Sequence, residues 1–281
     1  SLISNSTAAE ATDTNGLTAF NSDGFSLGTD ANYNGSARTF VSWNWNAGGS
    51  NATNTSGTIT STVRANTTSG FSIVTYTGTG SNATVGHGLG VAPQMVIVKK
   101  RSNAGNQWRV WHTTLLGTEY LTLSGTDAKG TAAGIWNSTT PSSTVFSLGT
   151  DNDVNQSTHT FVAYCFAAVA GYSAFGSYTG NGSADGPFVY TNFRPEFVMI
   201  KNASATGDWF IYDAVRNTYN VADNRLKPNL SDAEGTGGSF GPDILSNGFK
   251  MRSNFGEMNG SGNTIIYMAF AEFPFKFSLA R

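Results

Sequence analysis

One cysteine in 281 residues rules out an internal disulfide, so the chain is no small secreted scaffold stapled by bridges. Cys165 lies within a strand-like run, where a buried and inert thiol is expected. Charge is scarce too. Charged residues make up 12% of the chain, about half the usual share, and the net charge is −2. That balance offers no electrostatic footprint for nucleic acid or an anionic membrane. Long apolar runs are missing as well, and none approaches the roughly 20 residues a membrane helix needs. Ser1 begins without an initiator methionine or a signal-peptide pattern, and the chain reads as a piece of something longer.

What is present is glycine, at 33 residues, together with much Ser, Thr and Asn, and aromatic residues at 12%. So many aromatics offset the ordering entropy that keeps polar chains disordered. The expectation is a folded β-rich protein with a neutral hydroxyl-and-amide surface.

Its organising stretch is Thr160-Phe161-Val162-Ala163-Tyr164-Cys165-Phe166-Ala167, which has two relatives. The earlier is Thr39-Phe40-Val41-Ser42-Trp43-Asn44-Trp45-Asn46, and the later Thr264-Ile265-Ile266-Tyr267-Met268-Ala269-Phe270-Ala271. Strand side chains alternate between faces, so each copy divides into two rows. The rows Val41/Trp43/Trp45, Val162/Tyr164/Phe166 and Ile266/Met268/Phe270 are bulky; the opposite rows are mostly small. One face in a core and one polar or closely covered is the expected arrangement.

Repetition extends beyond that strand. Phe25-Ser26-Leu27-Gly28-Thr29-Asp30 recurs letter for letter as Phe146-Ser147-Leu148-Gly149-Thr150-Asp151, and loosely at Phe249-Lys250-Met251. Tyr76-Thr77-Gly78 parallels Tyr178-Thr179-Gly180, and Trp108 parallels Trp209. Pro93-Gln94-Met95-Val96-Ile97-Val98-Lys99 parallels Pro195-Glu196-Phe197-Val198-Met199-Ile200-Lys201. The fold class this implies, with the dense strand and turn signals, is all-β: tandem antiparallel β-sandwich or jelly-roll domains. Residues 1–47 are the second half of a truncated repeat, 48–69 a Ser/Thr/Asn/Gly-rich linker, and 70–168 and 170–273 two complete copies. The bulky row of the truncated copy therefore needs cover from elsewhere.

Strands are expected at 71–76, 94–100, 108–112, 120–123, 145–148 and 159–167, and an edge strand within 58–63. A short helix is expected near 113–117 or 214–221. Val169-Ala170-Gly171 leaves the complete units abutting in a fixed orientation. In the tail, 274–281, Phe275 and Phe277 continue an alternation begun by Phe273 and call for a partner surface.

These phrases, with Ser69-Gly70-Phe71-Ser72-Ile73-Val74 and Gly86-His87-Gly88-Leu89-Gly90, resemble a repeated domain of unknown function in structural proteins of tailed phages, especially marine ones. The resemblance covers nearly the whole chain. It implies a concanavalin-type sandwich on the virion exterior, in a tail fibre or related appendage, and brings no established site residues. The function it implies is host attachment by non-catalytic binding. Expected partners are other virion proteins, a host-surface glycan or envelope component, and further copies of the chain, as in a trimer. Nucleic acid and membrane insertion are not expected. A capsid-decoration or head-fibre protein, a glycan-degrading tailspike and a bacterial adhesin or filament subunit are the alternatives.

Sites are few. His87, His112 and His159 lack metal spacing, and the Gly-rich turn around His87 lacks the Lys-Ser/Thr of a phosphate loop. Asp30, Asn32, Asp151 and Asp153 are spaced like the start of a calcium loop, although the twelfth position is Val41 or Val162 rather than Glu. A turn is the simpler use of those residues. Trp108, Trp111, Trp136, Trp209 and Tyr212 are the candidates for stacking on sugar, against the competing role of core aromatics. Asp208, Asp213 and Glu196 could form the carboxylate pair of a glycosidase. Their counterparts Gln107, His112 and Gln94 do not repeat it, so no enzyme and no cofactor are expected, calcium being the one candidate.

Overall fold

The computed structural model describes residues 1–238 and 240–272. The fold is all-β, built of antiparallel sheets, with four single-turn helices among the described residues. Phe71–Thr77, Thr160–Phe166, Met95–Lys100 and Arg109–His112 lie side by side in that order, and Ser173–Thr179, Thr264–Phe270, Phe197–Asn202 and Trp209–Asp213 follow the same order. Registers agree as well. Phe166 stands between Phe71 and Met95, and Phe270 between Ser173 and Phe197.

A small sheet faces each of these. Ala83–Gly86 pairs with Val145–Leu148 beside the first; Phe188–Tyr190, Gly248–Met251 and Pro242–Leu245 form the second. The two sheets meet through aromatic rings, Tyr76 to Phe146 at 6.1 Å and Tyr267 to Phe249 at 5.5 Å. Ala163, Cys165 and Ala269 are fully buried on the row that looks toward the small sheet. Small residues there leave room for rings from the facing layer, as close packing requires. Each sandwich core therefore lies on the small-residue side.

The bulky rows do something the sequence did not disclose. Phe166 of the first sheet lies 6.0 Å from Phe270 and 6.3 Å from Phe175 of the second. Both sheets turn these rows toward each other and share one hydrophobic cluster.

The letter-for-letter repeat has one local structure. Asp30 and Asp151 each accept a hydrogen bond from the backbone N–H two residues on, at 2.7 Å, and so cap the helices Ala31–Asn34 and Asn152–Asn155. Gly256–Asn259 is the matching helix of the later copy, and each of the three ends on an asparagine. Asn155 and Asn259 are fully buried, donate to Gly149 O and Ser253 O at 2.8 Å, and accept from the N–H of Thr79 and Asn181 at 2.8 Å. The Tyr-Thr-Gly motif docks on the same helices. Tyr76 and Tyr178 donate to Val154 O and Met258 O at 2.7 and 2.6 Å, and a Cβ on Gly78 or Gly180 would lie 2.3 or 2.2 Å from a backbone oxygen. Asn34 makes the local bond to Gly28 O and is exposed. Asn259→Ala is therefore expected to lower stability by about 3 kcal/mol, and Asn34→Ala by less than about 1 kcal/mol, in urea denaturation.

Several expectations are corrected. Residues 48–69 are no loose linker, since Ala52–Asn54 and Ser61–Asn66 extend the first sheet to eight strands together with Glu119–Thr122 and Gly130–Thr131. Ser61–Asn66 lies inside that sheet rather than at its edge. Residues 39–46 form no strand, because no neighbouring strand supplies their ladder among the described residues. No helix forms at 113–117 or 214–221. The calcium-like loops are single-turn helices. The expected apolar alternation at Phe273, Phe275 and Phe277 lies outside the described residues.

Candidate functional site

Where the bulky rows meet, the 39–46 segment crosses over them. Trp45 packs edge-on against Phe166 at 6.1 Å and against Phe197 and Phe270 at 5.5 Å. Trp43 packs on Phe197 at 5.5 Å and donates its indole N–H to Asp213 Oδ2 at 3.2 Å. Beside this aromatic knot a groove of about 1360 Å³ runs beneath residues 17–25 and 43–48, walled by Tyr164, Met199 and Met268. A smaller cleft of about 260 Å³ adjoins it, lined by Ser42, Trp43, Asn44, Glu196, Asp213 and Glu272.

Two carboxylates of the cleft, Asp213 and Glu196, are held by cations. Arg216 donates to Asp213 through Nε at 2.6 Å and through its backbone N–H at 2.8 Å, and its guanidinium lies 5.6 Å from the Trp43 ring centre. Glu234 holds the other side of the same guanidinium. Arg194 meets Glu196 at 3.2 Å. Burial raises the Glu196 carboxyl above its ordinary range, the Arg194 charge opposes the rise, and Glu272 and Asp213 add to it. Asp208 lies elsewhere, paired with Lys227 at 2.8 Å and with Asn229 at 2.7 Å. Two of the three expected carboxylates thus share one cleft.

The five aromatics expected to stack on sugar are all buried, at 5% exposure or less. Trp108 donates its indole N–H to the carbonyls of Ile3 and Ser6, Trp209 to that of Thr122, and Tyr212 its hydroxyl to that of Phe240. Trp111 and Trp136 lie wholly in the shared cluster. None of the five offers a ring face to solvent, whereas Trp43 is half-buried and lines the cleft. Trp43 carries a strand's pattern and packs against the shared cluster as a core residue would, and without a ladder among the described residues it also borders the cleft.

The residues considered for calcium are engaged in other contacts or exposed. Asp30 and Asp151 are helix caps, Asn32 is exposed, and Asp153 is ion-paired with Arg109 at 2.6 Å and accepts from Asn106 and Gln107. Among the described residues no three His, Cys, Asp or Glu side chains are grouped as metal ligands.

The histidines serve the fold. His87 donates from Nε2 to Ser142 O at 3.1 Å and accepts at Nδ1 from Leu89 N–H, which defines its tautomer. His112 donates from Nε2 to Tyr267 O at 3.1 Å, tying the first sheet to the second. Burial lowers both rings, His112 to about 4. Cys165 is fully buried and its thiol pushed up to about 12, an inert group as expected.

One comparison bears on identity. A family described as a domain of unknown function, DUF7483, matches residues 1–274. The chain belongs to that family. A match of this extent spans both sheets and the 1–47 segment together, in keeping with the cluster they share. No curated protein and no solved structure matches the chain.

Proposed function

We propose that this DUF7483 chain is a non-catalytic structural and binding component on a phage exterior, in a tail fibre or related appendage, and that it contacts the host surface. The observation that carries the binding part is the cleft at Trp43. There a half-buried indole sits among Ser42, Asn44 and cation-held carboxylates, the mixture of ring face and fixed polar groups that receives a sugar. The phage placement rests on the sequence resemblance. With it we infer tandem concanavalin-like sandwiches, two complete copies behind the second half of a third, supported by the shared strand order, register and asparagine and tyrosine bonds.

Host cells or their isolated surface polysaccharide should bind the purified protein. Trp43→Ala should weaken that binding about tenfold, the loss of one stacking contact of roughly 1.4 kcal/mol. Undiminished binding by the variant, or none by the parent, sinks the glycan reading; antibody labelling of particles checks the location.

The raised Glu196 beside Asp213 favours one second reading, glycan cleavage with Glu196 as the acid. New reducing ends from host polysaccharide, lost in Glu196→Gln, would establish it.

A further inference from the structure

The second sheet, and the four strands of the first that match it, each receive a short segment from the chain before them, through the same bonds. On the second sheet, Trp209 Nε1 donates to Thr122 O at 3.0 Å and Lys201 Nζ to Thr126 O at 3.1 Å. Lys129 N–H donates to Ala203 O at 2.9 Å and Gly207 N–H to Thr126 O at 2.8 Å. On the first sheet, Trp108 Nε1 donates to Ile3 O at 3.1 Å and Lys99 Nζ to Thr7 O at 3.2 Å. Glu10 N–H donates to Arg101 O at 2.8 Å and Gly105 N–H to Thr7 O at 3.0 Å. Residues 3, 7 and 10 thus stand where 122, 126 and 129 stand, at identical spacing.

A third segment matches these two. Ser124 Oγ accepts from Trp108 N–H at 3.3 Å, and Asn229 Oδ1 accepts from Trp209 N–H at 3.0 Å, so Pro228 takes the place of Leu123. Ser4 holds that place in the first segment, and its hydroxyl donates to Pro228 O at 2.6 Å. Ser4, Leu123 and Pro228 all line the central groove. Above them the equivalent residues of the three organising stretches, Trp45, Phe166 and Phe270, contact one another at 5.5 to 6.1 Å. Like residues converge on one axis from three directions.

Only two of the three directions have a receiving sheet. Phe146 and Leu148, and Phe249 and Met251, are at most 1% exposed, whereas their counterparts Phe25 and Leu27 are 36% and 37% exposed. Phe20 is 81% exposed where Ile244 is 5%. Phe25–Leu27 has, among the described residues, the one partner Leu17–Phe20, while Gly248–Met251 is paired on both edges. Among the described residues, 39–46 lie on the axis without a ladder, where Thr160–Phe166 and Thr264–Phe270 have one on each side.

We propose that the face formed by Leu17–Phe20, Phe25–Leu27 and residues 39–46 is a docking surface for a four-stranded-type sheet presented by a neighbouring polypeptide. The occupant carries the pattern seen at 71–112, a strand ending Tyr-Thr-Gly, a Pro-x-x-Val-x-x-Lys strand and a following Trp. The chain itself supplies the argument, because this is what covers the equivalent face in both other directions. A glycan in the cleft at Trp43 would still leave Phe20 and Phe25 in water and the backbone of 39–46 unpaired, so the cleft does not account for this face. A second copy has its own such strands committed inside complete ladders.

The test extends the full chain by joining a copy of residues 69–119 directly ahead of Ser1, since Ile3 occupies the place of Thr122. Amide exchange at 25–27 and 40–46 should slow by about 100-fold or more. Phe20→Ser should leave the Tm of the unextended protein within about 1 °C and lower that of the extended protein by about 4 °C or more. Unchanged exchange at 40–46 overturns the proposal, as does failure of the added strands to gain protection, since those strands fold within this chain. Concentration-dependent protection of 17–46 in the unextended protein would make the occupant a second copy. Deprotection of 17–46 on truncation after Glu272 would make it the chain's own carboxyl-terminal tail, and either result overturns the proposal.

Discussion

Phe166→Ala should destabilise the protein by about 3–5 kcal/mol and do so in a single transition that takes both sheets with it. Phe166 stacks on Phe71 at 4.8 Å within its own sheet. It also touches Phe175 and Phe270 of the second sheet and Trp45 of the crossing segment. Truncation opens a cavity at the point where all three meet, and rigid sheets on two sides cannot collapse to fill it. The comparison is Phe249→Ala, which lies in the separate core of the second sandwich. Urea unfolding followed by exchange at strands 71–77 and 173–179 distinguishes the outcomes. If the second sheet kept its parental midpoint in Phe166→Ala, the shared core would not be an energetic unit.

The second large effect is of pH. His112 has its ring lowered from 6.5 to about 4 by burial, with the Tyr267 carbonyl opposing the shift. Its folded value is therefore below its unfolded value. Below 6.5 the unfolded chain takes up a proton that the folded chain refuses until about 4. Stability is complete above that window and falls as pH drops through it, by on the order of 3 kcal/mol in all. His87 is lowered by burial too and adds a loss of the same sign. His112→Gln retains a donor for Tyr267 O and should remove most of the slope between pH 6.5 and 4 in denaturation midpoints. An unaltered slope would place the acid sensitivity elsewhere.

Much of this was legible in the chain. Alternation at 71–76, 94–100, 145–148 and 159–167 located strands, because strand periodicity is local and each of these has a buried row. The repeated Phe-Ser-Leu-Gly-Thr-Asp announced a repeated structure, although its Asp proved a helix cap and not a cation ligand. Ala83–Gly86 and Ala52–Asn54 escaped notice, being short and polar, with pairing supplied from distant strands. The candidate site was the least legible part. The five aromatics weighed for sugar are all inside, while Trp43, expected in a core, both packs against one and lines the cleft.

Composition and alternation by themselves determined that the chain is all-β, sparsely charged, without an internal disulfide and built from repeated stretches, since these are properties of the residues and their near neighbours. Tertiary structure alone decided which row of each organising strand serves its own sandwich and which is shared with the next. A bulky row and a small row are both buried here, and only the position of the second sheet says what covers the bulky one. The same is true of residues 39–46: they carry a strand's pattern, but a strand exists only where another chain segment completes its hydrogen bonds.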